Sequence, residues 1–511
     1  MGLPMTTSAR SRFVFTVGMN LLRTGISFTT GMLAARWLGP AEYGNMAFLL
    51  GTFAGVRALL DMGSSAGFFT FLSQQPRSWR FVRAFFLWQA LQFVVPLLVV
   101  GLMLPSAWIA TVWHGESRTL VLLAFAAAFM QGSVWSAVQQ ACESQRRTYL
   151  AQGIGVLVVL THLVAVVAFW WFGALGLTAI LGGIAIEYFI AGAVVLRRLS
   201  FATGGDEMAT PVMINKYVVY CLPLVPFSVL SFANEFADRW LLQQHGGGVQ
   251  QAYYAVGAQL ASIALIATSS ILNIFWKEIA EAHHRKDFER TRVLYHRVSR
   301  LLFAIGASVA GLLIPWAADV LSLLLGAAFV GGAPALMIML LYPVHQTMGQ
   351  VGATMMYATE RVRTQVLVGS AMMFVGVTVT YFVLAPRTAV IPGFGLASTG
   401  LAAKMVGVQI VGVNILAYVL ARMNGWTFEW LYQPVVIGVC VGLGWLVRLV
   451  VLTILPVTVP VIYQLAFAGV VYLSLLTGVL FVRPTLAGVS RSELMTACSA
   501  VVRILGRGVA R

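Results

Sequence analysis

The stretch from Phe13 to Gly63, FVFTVGMNLLRTGISFTTGMLAARWLGPAEYGNMAFLLGTFAGVRALLDMG, decides the class of fold. It reads as two apolar helices joined by a short polar hinge, Ala34 to Gly44. Each helix is long enough to cross a bilayer, which takes about 20 apolar residues. Each also carries charge where lipid should forbid it: Arg23 near the middle of the first, Arg57 and Asp61 in the second. A charge at membrane depth costs about 3 kcal/mol or more unless it faces a wet cavity or a partner. The stretch therefore predicts a protein that spans a membrane and encloses something polar.

The rest of the chain agrees. Its 511 residues are 59% hydrophobic and 10% charged, with a mean hydropathy of +0.86, which excludes an ordinary soluble globular protein. The 49 glycines suit close approach of membrane helices. The formal net charge of +16 does not point to nucleic acid, because the basic residues lie in segments between apolar spans. Cys142, Cys221, Cys440 and Cys498 are isolated and read as small packing residues. No metal or cofactor motif is present in the sequence. The first span is too long for the apolar core of a signal peptide and is expected to stay in place.

Fourteen apolar spans of helical length are expected, at about 13–35, 44–72, 83–104, 118–141, 151–172, 175–196, 217–242, 250–275, 299–318, 333–357, 364–385, 395–420, 433–455 and 461–482. Lys and Arg test their alternation. One side receives 25 of them, including both ends of the chain; the other receives Arg36, Arg118 and Arg387; Arg23, Arg57, Arg239, Lys404 and Arg448 lie within spans. This split predicts a multi-pass protein of the cytoplasmic (inner) membrane with both termini in the cytoplasm. The longest stretch between spans, Lys277 to Arg300, reads as an amphipathic helix on the inner leaflet.

A faint repeat is visible. Ala35-Arg36-Trp37-Leu38 ends the first span and Asp238-Arg239-Trp240-Leu241 the seventh. The organisation expected is a bundle of six spans over residues 1–198, a second over 199–422, and two further spans with a basic tail over 423–511. Parallel halves of this kind place a substrate site near the midplane.

The buried charges suggest what that site accepts. Asn20, Arg23, Thr24, Ser27, Thr30 and Gly31 recur at helical spacing as a polar stripe. Arg23 cannot shed its proton, and its fork matches phosphate oxygens. Lys404, in the twelfth span, has no acid within four positions. Arg23, Lys404, Arg57 and Asn20 are thus the candidates for holding an anionic head group. Arg57 and Asp61 are four apart, so they can meet; the alternatives are a self-neutralised pair or an opened one. Asp61 and Glu187 are the candidates for a coupling ion. Glu235, Asp238 and Arg239 read as an outer gate or structural pairs. Arg448 is expected to meet a lipid phosphate or to snorkel, and His162 and His345 to be hydrogen-bonded core residues.

Four stretches resemble one family. Gly31-Met32-Leu33-Ala34-Ala35-Arg36-Trp37-Leu38-Gly39-Pro40-Ala41-Glu42-Tyr43-Gly44 is similar to the exit of helix one in the polysaccharide (Wzx-type, O-antigen) flippases of the multidrug/oligosaccharidyl-lipid/polysaccharide (MOP) exporter superfamily. Leu60-Asp61-Met62-Gly63 resembles that family's Asp-x-Gly in helix two. Tyr220-Cys221-Leu222-Pro223-Leu224-Val225-Pro226, followed by Ala237-Asp238-Arg239-Trp240-Leu241-Leu242, resembles its seventh helix, and Gly393-Phe394-Gly395-Leu396-Ala397-Ser398-Thr399-Gly400 its entry to helix twelve. The resemblance implies an all-α transporter of twelve core helices and two more, working by alternating access. It implies an oligosaccharide on a polyprenyl diphosphate as substrate, moved from the cytoplasmic to the outer leaflet for surface or exopolysaccharide synthesis, with polysaccharide polymerase machinery as partner. A peptidoglycan-precursor flippase and a multidrug exporter are the alternatives within the superfamily. A membrane glycan polymerase or ligase is disfavoured, because the outer loops are short and carry no catalytic constellation, so no enzyme is expected.

Overall fold

The computed structural model describes residues 9–74, 77–201, 211–265, 268–456, 458–496 and 499. Cys498, Arg503, Arg507 and Arg511 lie outside the described residues, as do the side chains of Arg10 and Arg12. The described residues form helices and no β-strand.

The first helices are α1 (Ala9–Asp61), α2 (Ser64–Gln74), α3 (Trp79–Leu98), α4 (Ser106–Val112), α5 (Arg118–Phe129), α6 (Trp135–Ser144), α7 (Thr148–Trp171), α8 (Leu177–Arg198) and α9 (Pro211–Cys221). Next come α10 (Val225–Ser262), α11 (Thr268–His284), α12 (Phe288–Leu313), α13 (Ala317–Leu325), α14 (Ala333–Met339) and α15 (Tyr342–Ala358). The last are α16 (Val362–Leu384), α17 (Ala397–Asn424), α18 (Tyr432–Ile454) and α19 (Val461–Val482).

Eleven segments among the described residues are long and apolar enough to cross a membrane, and the bent pair Phe15–Asp61 with Ser64–Gln74 makes a twelfth. Two of the twelve are double. α1 leaves helical geometry at Gly39, φ 76° and ψ 170°, and α10 does so at Gly247, φ 69° and ψ −175°. Twelve segments therefore supply the fourteen passes expected. Glycine reaches positive φ without steric cost, and Pro40 opens the next helical stretch with its φ already set.

Three expectations are corrected. The polar hinge of Ala34 to Gly44 is helical except at Gly39. The second span does not run unbroken to residue 72: Met62 (φ 45°) and Gly63 (φ 80°) interrupt it, with a bend of 57°. Lys277 to Arg300 is not a separate surface helix. It is the end of α11 and the start of α12, broken at Lys286 (φ 57°) and capped by Asp287, whose carboxylate accepts from the Arg290 N–H at 3.0 Å.

The breaks also revise the register of the repeat. Gly39 stands three residues after Arg36, whereas Gly247 stands eight after Arg239. The shared Arg-Trp-Leu is therefore not structurally equivalent, and the matching joints are the two glycines.

The chain divides into two compact units, Met1–Ala252 with Val377–Ala397, and Tyr253–Gly376 with Ser398–Arg511. The core of the first joins Phe68, Leu72, Phe81, Phe85, Trp135, Val138 and Val195, with the Phe68 and Phe85 rings stacked at 4.0 Å. That of the second joins Phe275, Ile279, Leu302, Val351, Met355 and Leu420. Cys142 and Cys440 are fully packed, as small buried residues should be.

Candidate functional site

The candidate site in the first unit is built around an irregularity. Between α5 and α6, Met130–Val134 is π-helical. A π turn inserts a residue into the helix, disturbs the regular backbone ladder, and is frequent at functional sites. Two carbonyls of this turn take side-chain donors. Arg57 Nη1 donates to the oxygen of Gly132 at 2.8 Å, and Gln89 Nε2 to that of Ser133 at 3.3 Å. In an apolar setting such acceptors must find partners. A second π turn, Val99–Met103, repeats the device: Arg118 Nη1 donates to Gly101 O at 2.8 Å. Sequence reasoning missed both, since a π turn leaves no residue pattern comparable to a cap or a glycine break.

Arg57 is held tightly. A Cβ placed on Gly132 would lie 2.5 Å from Arg57 Nε and 2.6 Å from Cζ, so the guanidinium packs directly against the bare backbone. The pairing with Asp61 that spacing allows is not formed. Asp61 Oδ1 accepts instead from Ser64 Oγ at 3.0 Å, the Ser65 N–H at 3.0 Å and Ser65 Oγ at 2.6 Å. It caps α2, as an Asp before a helix start does.

Arg57 has another acid. Glu235 and Arg239 lie on α10 where it crosses α1: the Glu235 side chain covers Gly55 and that of Arg239 covers Gly51. Both Arg239 and Arg57 fall within electrostatic reach of the Glu235 carboxylate. Asp238 also bears electrostatically on that carboxylate. It is 6% exposed and accepts from Thr380 Oγ1 at 2.6 Å.

Arg23 packs elsewhere on the same unit. A Cβ on Gly155 of α7 would stand 3.8 Å from Arg23 Cδ and Nη1 and 3.5 Å from Trp135 Cζ2. The guanidinium and the indole that follows the π turn thus converge on one glycine. Arg23 is half-buried and makes no hydrogen bond or ion pair among the described residues. One turn earlier, the buried Asn20 Oδ1 has no hydrogen-bond partner either. Thr24 and Ser27 are exposed and Thr30 is buried, so the polar stripe opens outward around Arg23 and closes into the packing at Thr30.

Lys404 belongs to the second unit. It is 4% exposed, stands 3.9 Å from Met405 Sδ and makes a further interaction. The solitary cation suggested by its sequence neighbours is thus corrected. Arg448 neither snorkels nor waits for lipid: Nη1 pairs with Asp319 Oδ2 at 3.0 Å and the guanidinium lies over Trp316 at 4.9 Å. Glu187 meets His162, Nδ1 to Oε2 2.9 Å, a pairing that 25 residues of sequence separation hide. His345 is a buried core residue on the Leu341 carbonyl, 3.2 Å. Among the described residues no cluster of three His, Cys, Asp or Glu could hold a metal.

A family model described as "Polysaccharide biosynthesis protein" matches residues 10–275, which include Arg23, Arg57, the π turn and Glu235. The chain belongs to the polysaccharide biosynthesis protein family. No curated protein matches it in sequence. Among solved structures, this family member is similar to "Lipid II flippase MurJ, inward closed conformation", with TM-score 0.68 and 12% identity over 91% of this chain and 99% of the other. It is also similar to an inward-facing multidrug resistance MATE family transporter of the MOP superfamily, with TM-score 0.62 and 13% identity over 81% and 100% of the two chains. A Pyrococcus furiosus MOP superfamily transporter, whose title describes a reverse polarity of binding pocket, has TM-score 0.52 and 12% identity over 82% and 97%. At these identities the likeness establishes the fold: this member of the polysaccharide biosynthesis protein family has the all-helical architecture of MOP transporters.

Proposed function

We propose that the chain is a flippase that carries glycan repeat units linked to polyprenyl diphosphate from the cytoplasmic to the outer leaflet of the inner membrane by alternating access. The observation that carries this reading is Arg23, a permanent cation on a membrane helix with no ion pair among the described residues. A cation there is costly unless an anion visits, and a diphosphate offers the planar-fork geometry that arginine binds best. Arg57 keeps donors beyond the one given to Gly132 and stands as the second phosphate ligand. The buried Asn20 Oδ1 accepts a hydroxyl proton. The family's link to polysaccharide biosynthesis supports a glycan as cargo, and the fold it shares with a lipid II flippase supports a lipid carrier. The basic segments support a cytoplasmic place for both termini, and the polymerase that consumes the repeat unit is the expected partner.

The test follows lipid-linked oligosaccharide in a deletion strain carrying either wild type or Arg23→Ala at equal abundance. Accumulation on the inner leaflet that only wild type clears supports the reading. Loss of an essential wall precursor, or of drug efflux, with no glycolipid accumulating would overturn the substrate.

A further inference from the structure

Three helices of the second unit reach one edge of the membrane together. Arg300 stands at the start of the apolar part of α12, Tyr432 opens α18, and Thr485 lies three residues past the end of α19. In the proposed orientation this is the cytoplasmic edge. A cleft of about 450 Å³ opens here, and its lining includes Arg300, Glu429, Trp430, Leu431, Tyr432 and Thr485. Ligand sites usually measure about 300–1,000 Å³.

The walls are tied together. The Tyr432 hydroxyl lies 2.8 Å from the Leu486 carbonyl oxygen and 3.3 Å from that of Arg300. Arg300 Cζ stands 5.1 Å from the centre of the Tyr432 ring. Its Nη2 faces both Glu429 oxygens at 2.5 Å, and Nη1 donates to Thr485 O at 3.3 Å. This is an end-on approach by one nitrogen, not the parallel fork of two nitrogens on two oxygens. Arginine has five N–H donors. Here Nε–H is buried without an acceptor among the described residues, and a second Nη1–H is left over. The Arg300 and Glu429 side chains are 24% and 41% exposed, so both charges can be reached from the cleft.

The lip of the cleft is apolar. Trp430 is 70% and Leu431 76% exposed, and the Phe428 ring meets Trp430 edge-on at 4.6 Å. Two large apolar neighbours facing bulk water would gain nothing from burial, whereas a tryptophan at the level where lipid meets water is well placed.

We infer that the cleft holds the head group of a phospholipid carrying a primary ammonium and a phosphodiester, as phosphatidylethanolamine does. The phosphodiester takes the spare Nη1 donor of Arg300. The ammonium lies on the Glu429 carboxylate, and Trp430 and Leu431 lie against the glycerol and the upper acyl carbons. Charge complementarity selects this head group. The pair supplies one cation and one anion, so a zwitterion satisfies both. An anionic glycerol head group sets a second negative charge before Glu429, and a choline has no N–H to give to it. The lipid fills the corner between α12, α18 and the end of α19. The inference concerns a resident lipid and does not depend on what the chain transports.

Lipid retention by the full-length protein tests it. Purified wild type in detergent is offered an equal mixture of phosphatidylethanolamine, phosphatidylglycerol and phosphatidylcholine. Native mass spectrometry is expected to find one copy of the first retained, about tenfold over either of the others, the factor that one charge-assisted hydrogen bond supplies. Glu429→Gln keeps an acceptor for Arg300 and removes the counter-charge of the ammonium, so the preference should disappear. A second readout needs no variant: the backbone amides of Leu486 and Gly488, in the turn that walls the cleft, should exchange hydrogen more slowly in phosphatidylethanolamine nanodiscs than in phosphatidylcholine ones. Equal retention of the three lipids, a preference for phosphatidylglycerol, a preference that survives in Glu429→Gln, or exchange indifferent to the head group would overturn the inference. If Glu429→Gln does not fold, wild-type retention and exchange decide.

Discussion

Arg57 donates to the carbonyl of Gly132, 75 residues away in sequence and 2.8 Å away in space, although Asp61 stands one turn along its own helix. The choice follows from where α1 stops. Past Asp61 the backbone turns at Met62 and Gly63, and Asp61 is drawn to the free N–H groups of α2. Arg57 then donates to a carbonyl of the π turn instead.

Gly132→Ala tests that arrangement. The new methyl would collide with Arg57 Nε and leave the Gly132 carbonyl without its donor. The expected outcome is a destabilisation of about 1–3 kcal/mol, the cost of an orphaned buried acceptor, with surface polymer falling at matched membrane abundance. Thermal unfolding in detergent and polymer quantification check the two parts.

Arg23→Ala should separate function from folding. Because Arg23 makes no hydrogen bond or ion pair among the described residues, its removal is expected to shift stability by no more than about 0.5 kcal/mol, as for a side chain without a structural partner. Export should be lost. Arg23→Lys should restore part of it, since lysine supplies the charge without the fork. A complementation assay with thermal unfolding of the same proteins decides.

Arg448 and Asp319 should behave in the opposite way. Their pair is three-quarters buried, so Arg448→Ala or Asp319→Asn strands a charge and is expected to cost about 2 kcal/mol, short of the 3–5 for a fully buried pair. The double variant should cost less than the sum of the two. Export by whatever protein remains in the membrane should be normal. A double-mutant cycle by chemical denaturation tests this, and strict additivity would refute the pairing.

Beyond α19, Ser490 and Glu493 form a capping box: the Glu493 carboxylate accepts from the Ser490 N–H at 2.9 Å, and the Glu493 N–H donates to Ser490 Oγ at 3.3 Å. The bonds from Ser490, and the Arg297 guanidinium beside it, hold the carboxyl below its ordinary value of 4.5. A depressed acid stabilises above its unfolded pKa, and that contribution is lost as pH falls through the folded value. The segment after Pro484 should therefore be protected from protease at pH 7 and become cleavable in acid, at a pH below the ordinary carboxylate value of 4.5, as the carboxylate protonates. Glu493→Gln should be cleaved at both.

The number of passes was legible because apolar length is a local property of the chain. The joints were legible in part: Gly39-Pro40 signals a break, but Arg-Trp-Leu suggested a register five residues away from the one the glycines define. The side-chain partners were not legible. His162 with Glu187, Arg448 with Asp319 and Arg57 with Gly132 each join helices that are remote in sequence, and helical spacing reports neighbours on one helix only. Asp61 shows the limit most plainly. Four-residue spacing implies contact while a helix continues, and Asp61-Met62-Gly63-Ser64-Ser65 already held the signs that it does not.

Gly39 and Gly247 have a mechanical meaning. A loop of several residues lets two helices slide past each other, because slack absorbs the travel. α1 and α10 pass from one leg to the next through a single non-helical residue, and one residue has no slack. Each joint bends and does not stretch. A force that draws the leg bearing Arg23 along its axis is therefore delivered in full to the leg bearing Arg57, and the two arginines are coupled by the backbone itself.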